Sequence, residues 1–220
     1  MSAFLQPLKA LFAPADEQLM WRVQTQDDSQ AFAELVGRWQ EPIRRLCERL
    51  AGDVHRAEDL AQEVFAKLFA RRHAYQTDRK FSAWLWRVAL NHCYNELRRQ
   101  RSRPETLMSP LEDEAGPGLE AVPGECPGPD EQAATRETAD AIRQAVLALP
   151  ESHRSIVLLR HYEGLKFREV AEVLDLPEGT VKTRMTEALS DLARSLRRSL
   201  ELNVPPPTHR RARTHNHLAL

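Results

Sequence analysis

Between Lys166 and Leu189 the apolar residues recur with a helical period, are interrupted once, and resume on a new stripe. Phe167, Val170, Ala171 and Leu174 stand three or four residues apart, the spacing of an amphipathic helix. Asp175-Leu176-Pro177 breaks the pattern. Pro177 cannot extend the first helix, but it suits the start of a second, where its missing N–H costs nothing. Val181, Met185 and Leu189 then form the second stripe, and Lys182, Thr183, Arg184 and Thr186 point elsewhere. Two short helices with a three-residue elbow, the second polar and cationic outside, predict a DNA-binding helix-turn-helix. Taken alone, the stretch also fits an ordinary helical hairpin.

The first hundred residues predict four more helices, with little glycine and no sustained strand alternation. Asp16 is expected to cap the first, which runs to about Gln26. Asp28 or Ser29 caps the second, with Phe32, Leu35, Val36 and Trp39 on one face and a break or kink near Pro42. Asp53 caps the third, Val54 to Ala70, whose stripe is Leu60, Ala61, Val64, Phe65 and Leu68. The fourth and longest runs from Phe81 to about Arg101. From Ser102 to Thr135 the periodicity is lost to Pro, Gly and acidic residues, which predicts a flexible linker. Helices follow over Thr138 to Leu149, Glu151 to Tyr162 and the helix-turn-helix, the last ending near Leu200.

The expected fold class is therefore all-α: a helical bundle and a helix-turn-helix domain joined by a flexible acidic linker. The boundaries are an N-terminal extension over 1–15, domains over 16–103 and 136–202, a linker over 104–135, and a disordered tail over 203–220. A tether of about 30 residues spans about 100 Å stretched but nearer 30 Å as a coil. Two DNA turns measure roughly 70 Å. One chain can thus reach two separated DNA sites if the tether is held extended.

Charge adds direction. The formal net charge is −1, so any nucleic-acid contact must come from local clusters. No Lys or Arg occurs from Pro104 to Thr135, whereas Arg98, Arg99, Arg101 and Arg103 cluster together, as do Arg210, Arg211 and Arg213. Cys47, Cys93 and Cys126 are widely spaced without a CxxC, which predicts neither a zinc site nor a disulfide framework and fits a reducing cytoplasm. No run approaches the roughly 20 apolar residues of a membrane span. The N-terminal stretch lacks a signal-peptide pattern; Leu5, Leu8, Leu11 and Phe12 form a short amphipathic turn expected to dock on the protein itself. His209, His215 and His217 lack a nearby carboxylate or thiol, so no metal or other cofactor is expected.

Two helices carry candidate chemistry. On the third, Glu58, Asp59, Gln62 and Glu63 form an acidic face opposite Leu60, Val64 and Phe65. Nothing beside them would split carboxylate pKa values for acid–base catalysis, so a docking face for a protein partner is the better reading. On the fourth, Trp84, Arg87, Val88, Asn91, Asn95 and Arg98 fall along one side, and Trp84 and Trp86 point nearly opposite ways. Aromatic rings interleaved with Arg and Asn suit unpaired bases. Each stacked base contributes about 1–3 kcal/mol, and cations hold the phosphates.

The stretches AEDLAQEVFAKLF, FSAWLWRVALNHCYNELRR and LPESHRSIVLLRHYEGLKFREVAEVLDLPEGTVKTRMTEAL, in this order, resemble a bacterial RNA polymerase sigma factor of the extracytoplasmic-function (ECF) type, in the sigma-70 family. The resemblance covers about Asp16 to Leu196 apart from the linker. It implies a promoter-specificity subunit without catalysis of its own, whose partners are core polymerase (the β′ coiled coil and β flap), promoter DNA and an anti-sigma factor. It implies that Glu58, Asp59, Leu60, Gln62, Glu63 and Phe65 dock on polymerase. By the same resemblance Tyr75, Lys80, Phe81, Trp84, Trp86, Arg87, Asn91, Asn95, Arg98 and Arg99 serve the melted minus-ten element. Lys166, Thr180, Lys182, Thr183, Arg184, Thr186 and Glu187 serve the minus-thirty-five duplex, and the linker threads through the polymerase. Asn95 stands where the family often has Asp, Asp175 where an elbow often has Gly, and Glu187 on a face often basic; its carboxylate can accept from cytosine N4. A stand-alone helix-turn-helix regulator would leave the Trp/Asn/Arg helix without a role. A recombinase or nuclease would need a nucleophile or carboxylate metal site that the N-terminal half does not display.

Overall fold

A computed structural model describes residues 15–102 and 129–203. In chain order its helices are α1 (Asp16–Gln26), α2 (Ser29–Ala51), α3 (Val54–Ala70), α4 (Phe81–Arg101), α5 (Pro129–Ala148), α6 (Glu151–Val157), α7 (Phe167–Leu174) and α8 (Glu178–Asn203). A 3₁₀ turn at Arg72–Ala74 precedes α4, and a π-type turn at Leu158–Tyr162 continues α6. No strand occurs among the described residues. The N-terminal amphipathic turn, the linker as far as residue 128 with Cys126, Arg103 and the histidine- and arginine-bearing tail lie outside the described residues.

The N-terminal helices begin and end where local chemistry directs. The Asp28 carboxylate accepts the N–H groups of Gln30 and Ala31 at 3.0 Å, satisfying two orphan donors of α2. Asp53 does the same for α3 through His55 and Arg56. Between them Gly52 closes α2 at φ +76, a conformation that suits a residue without Cβ. One expectation needs correction. Asp16 is the first helical residue, not the cap; its carboxylate accepts from the Trp39 indole at 2.9 Å and the Arg38 guanidinium at 2.8 Å. Those donors are charged or otherwise buried, so they take the carboxylate from its own backbone and tie α1 to α2. As expected, α2 runs on past Pro42, as one helical stretch from Ser29 to Ala51.

The bundle core forms on the predicted stripe of α3, with Leu35 of the α2 stripe buried and Phe32, Val36 and Trp39 packed against it part-buried, and it adds residues that no predicted stripe named. Leu19, Met20, Val23, Leu35, Ile43, Leu46, Val64, Leu68, Phe81 and Leu85 are completely buried. The Trp39 ring lies 5.8 Å from Trp86 and 6.3 Å from Phe81, both edge-on, and each such pair adds about 0.5–1.5 kcal/mol beyond area burial. Helix α4 has no cap from its own neighbours; Glu17 of α1 accepts the Phe81 N–H at 3.0 Å instead.

In the C-terminal half, α5 begins at Pro129 rather than Thr138, inside the segment expected to be linker. Proline at a first helical position is compatible with this start. At the elbow, Asp175 takes φ +55, and the Leu176 N–H closes on the Ala171 carbonyl at 3.0 Å. The buried stripe of α8 is Val181, Met185, Ala188 and Leu192, whereas Leu189 is 52% exposed. An eight-residue step drifts about 80° around a helix and a seven-residue step only about 20°, so Ala188 takes the core position.

The two halves are packed together. One buried cluster runs from Leu19 of α1 to Val181 of α8, and α4 lies against α7. The two expected helical units also meet, because apolar residues of α4 and α7 belong to the same buried cluster.

Candidate nucleic-acid interface

Helix α4 presents an exposed polar edge of Asn91, Asn95, Arg98 and Arg99 beside half-buried Trp84 and Arg87. Tyr75, Phe81 and Trp86 stand apart from that edge, at most 3% exposed. At that burial they offer almost no surface of their own. The Tyr75 ring packs 5.2 Å from Trp84, and its hydroxyl donates to the Arg79 carbonyl at 2.6 Å, which fixes the loop that carries exposed Lys80. Burial is the main cause that pushes the Tyr75 hydroxyl up to about 12, so it remains a donor at neutral pH.

Part of this edge is engaged by the C-terminal half. The Arg87 guanidinium donates to the Val173 carbonyl at 2.9 Å and the Glu172 carbonyl at 2.6 Å. These carbonyls belong to the last turn of α7, where helical acceptors lack partners and the dipole favours a cation. The Tyr94 hydroxyl donates to the Glu151 carbonyl at 3.1 Å and lies 2.9 Å from Ser155 Oγ. Arg98 pairs with the Glu151 carboxylate, Lys80 with Glu169 at 3.3 Å, and Arg49 with Glu163 at 2.9 Å. As the halves are packed, Arg87 is committed to protein and cannot hold a phosphate.

The second DNA candidate is the start of α8. Lys182, Thr183, Thr186 and Glu187 are exposed, Thr180 and Arg184 partly so, and Lys166 is exposed at the head of α7. Thr183 and Thr186 donate to the carbonyls four residues back, Gly179 at 3.1 Å and Lys182 at 3.2 Å. Their outward oxygens then act as acceptors and their methyls as apolar contacts, both useful at a base edge. Lys182 pairs with Glu178 at 2.7 Å, and Glu187 lies 3.2 Å from the His153 ring. Among the described residues Arg184 and Lys166 have no ion pair, unlike Lys182.

On α3, Glu58, Asp59, Gln62 and Glu63 are exposed as a row, whereas Leu60 and Phe65 are core residues at 4% and 8% exposure. Those two can shape the row but offer almost no surface to a partner. Glu63 reaches a group that the sequence reading missed: His92 of α4, whose Nε2 lies 2.8 Å away, with Glu96 and Lys67 close by. The sequence likewise left Cys47 and Cys93 unconnected; here their sulfurs approach to 3.4 Å as buried free thiols, and the hydrogen bond with Cys93 together with burial pushes the Cys47 thiol up. Spacing along the chain carries no signal for either cluster, because each joins different helices.

Residues 35–103 match the family described as Sigma-70 region 2, and residues 139–192 the family described as Sigma-70, region 4. The chain is 32% identical over 173 residues to the ECF RNA polymerase sigma factor SigW of Bacillus subtilis, covering 77% of this chain and 91% of that protein. It is equally 32% identical to the ECF RNA polymerase sigma-E factor of Escherichia coli K12, covering 79% of this chain and 90% of that protein. Its fold is similar to that of CnrH in complex with the cytosolic domain of CnrY, with TM-score 0.60, 20% identity, and coverage of 87% of this chain and 100% of that one. It is also similar to the sigma factor RpoE in complex with the anti-sigma factor NepR from Bartonella quintana, with TM-score 0.52, 20% identity, and coverage of 76% and 96%. At that identity the two structural likenesses concern the fold alone.

Proposed function

The chain belongs to the sigma-70 family, in its extracytoplasmic-function group, and from that premise we propose how its surfaces divide the work of initiation. As an RNA polymerase sigma factor it binds core polymerase and promoter DNA and starts transcription. In our reading it has no catalysis of its own and works in the cytoplasm; no helix among the described residues is long and apolar enough to cross a membrane.

The unit over 16–103 docks on polymerase through Glu58, Asp59, Gln62 and Glu63, with Leu60 and Phe65 holding that row from beneath. Its α4 edge receives the melted minus-ten element. Extracting a base costs a few kcal/mol of lost stacking. Stacking on Trp84, with Asn91 and Asn95 on the base and Arg98 and Arg99 on phosphates, offsets that cost. Tyr75, Phe81 and Trp86 keep Trp84 and Lys80 in place. The unit over 136–202 reads the minus-thirty-five duplex: Arg184, Lys182 and Lys166 neutralise phosphates, and Thr180, Thr183, Thr186 and Glu187 face base edges. The observation that carries this reading is the exposed Asn91–Asn95–Arg98–Arg99 edge beside Trp84, on the same chain as an exposed helix-turn-helix.

The packed arrangement has a consequence for binding. Arg87 and Arg98 are occupied by Glu172, Val173 and Glu151, so the halves must separate before α4 can be used in full. We also take an anti-sigma factor as a partner, in a response to an envelope or stress signal. The fold is shared with a sigma factor bound to the anti-sigma factor NepR, which supports that reading.

The test is transcription in vitro with purified core polymerase on genomic fragments, followed by mapping of start sites. Transcripts that begin at common positions only when the chain is added are expected. Duplex binding without polymerase, and no dependent transcript, would return the chain to a stand-alone regulator.

A further inference from the structure

We propose that Glu63, His92 and Glu96 bind a divalent first-row transition ion of the Zn²⁺ or Ni²⁺ class, in the notch between α3 and α4. His92 and Glu96 are one turn apart on α4 and share a face, while Glu63 arrives from α3. One ligand atom from each lies within 4.8 Å of the others. The imidazole is 3% exposed, and its Nε2 has no hydrogen-bond partner. Glu63 Oε2 is 2.8 Å away, but off the line that a ring N–H would need. A buried ring nitrogen beside two carboxylates and without a hydrogen-bond partner is left short of one positive centre, and a cation supplies it.

The donor set selects the class of ion. One imidazole nitrogen and two carboxylate oxygens suit zinc or nickel, while calcium asks for about six to eight oxygens. Two carboxylates and a neutral ring balance a dication. Ligands at about 2.0–2.2 Å from a tetrahedral ion stand about 3.3–3.6 Å apart, so the cluster must close by about an ångström. The Glu63 side chain is 55% exposed and has the freedom to do so. Water completes the shell on the solvent side.

Two cations compete for the same groups. Arg99 holds one Glu96 oxygen at 2.6 Å, leaving the other for the ion. The Lys67 ammonium lies 2.5 Å from His92 Nδ1. Coordination through Nε2 puts the ring proton on Nδ1, facing that ammonium, so Lys67 must swing outward. It is exposed and able to do so. Glutamine at position 67 would remove the repulsion and accept the Nδ1 proton, the second-sphere contact that orients metal-bound histidines.

The test uses the full chain with His209, His215 and His217 replaced by alanine, so that the tail cannot contribute. Calorimetric titration with zinc or nickel chloride, in a buffer that does not chelate, should give one ion per chain. Glu63→Gln with Glu96→Gln should weaken it by at least about 30-fold, and Lys67→Gln should tighten it by about 10-fold, within the range of ligand and second-sphere changes. The ion should raise the melting temperature of the parent but not of the double glutamine variant. Circular dichroism confirms that each variant is folded. Absence of saturable binding, or equal affinity in the double variant, would overturn the site; weaker binding by Lys67→Gln would overturn coordination through Nε2. Polymerase takes no part in the measurement, so the result is independent of the docking role proposed for Glu63.

Discussion

Asp175 holds the elbow of the helix-turn-helix with φ +55, in the region where a Cβ crowds the following carbonyl. The sequence already marked the position, because an elbow residue there is often glycine. Asp175→Gly should therefore stabilise the protein by up to about 1 kcal/mol, less what glycine adds to the entropy of the unfolded chain. Urea unfolding checks this, and a loss of stability would show that the carboxylate has a role the strain conceals. Glu163 poses the opposite problem, since nothing in its spacing signals burial. Its side chain is 7% exposed and faces Arg49 at 2.9 Å. Burial pushes its carboxyl above the ordinary 4.5, and the attraction of Arg49 and Arg45 only partly opposes this. The folded state therefore takes up the proton more readily than the unfolded one. The associated stability is fully present below about 4.5 and is lost as pH rises through the raised folded value. Glu163→Gln should accordingly match or exceed the parent in stability at pH 7, with the difference shrinking as pH falls towards 4.5. A variant clearly weaker at pH 7 would mean that the ion pair outweighs its desolvation.

Among the elements, α3 and α4 were legible to the residue: Asp53 followed by a helical stripe gives Val54–Ala70, and Phe81–Arg101 has the expected limits. Helix α8 was legible in place but not in phase, because Leu189 looked like core and Ala188 is core. Helix α5 was obscured by the Pro- and Gly-rich composition around its start. The phase of α8 decides which cations face outward, and a prediction belongs here. Lys182→Ala and Arg184→Ala should each weaken binding to the upstream duplex and reduce its salt slope by about one. The arginine should matter more, since Lys182 is partly neutralised by Glu178. Salt titrations of holoenzyme binding that leave the slope unchanged would remove α8 from the duplex.

For the whole molecule, the contacts between the halves are the controlling feature. The Lys80–Glu169 pair lies beside the α4–α7 contact and the Arg98–Glu151 pair joins α4 to α6, and both can be reversed without touching the α4 face. Glu151→Lys with Glu169→Lys places like charges opposite Arg98 and Lys80. The radius of gyration by small-angle scattering should rise, while circular dichroism stays the same. An unchanged radius would mean that the apolar α4–α7 contact holds the halves together unaided.

Helical class, the positions of most helices and the family were all legible in linear order, because periodicity, capping residues and motif content are local properties of a chain. The acidic row on α3 and the cationic face of α8 were legible for the same reason: residues three and four apart share a face whatever else surrounds them. What faces that surface was not local. Arg87 reads as a phosphate ligand in sequence, and only the arrival of the last turn of α7 makes it a helix cap. Glu63 joins His92 and Glu96 only when α3 packs on α4, and Cys47 meets Cys93 only when α2 does. Separation along the chain says nothing about such meetings, because helix packing sets them.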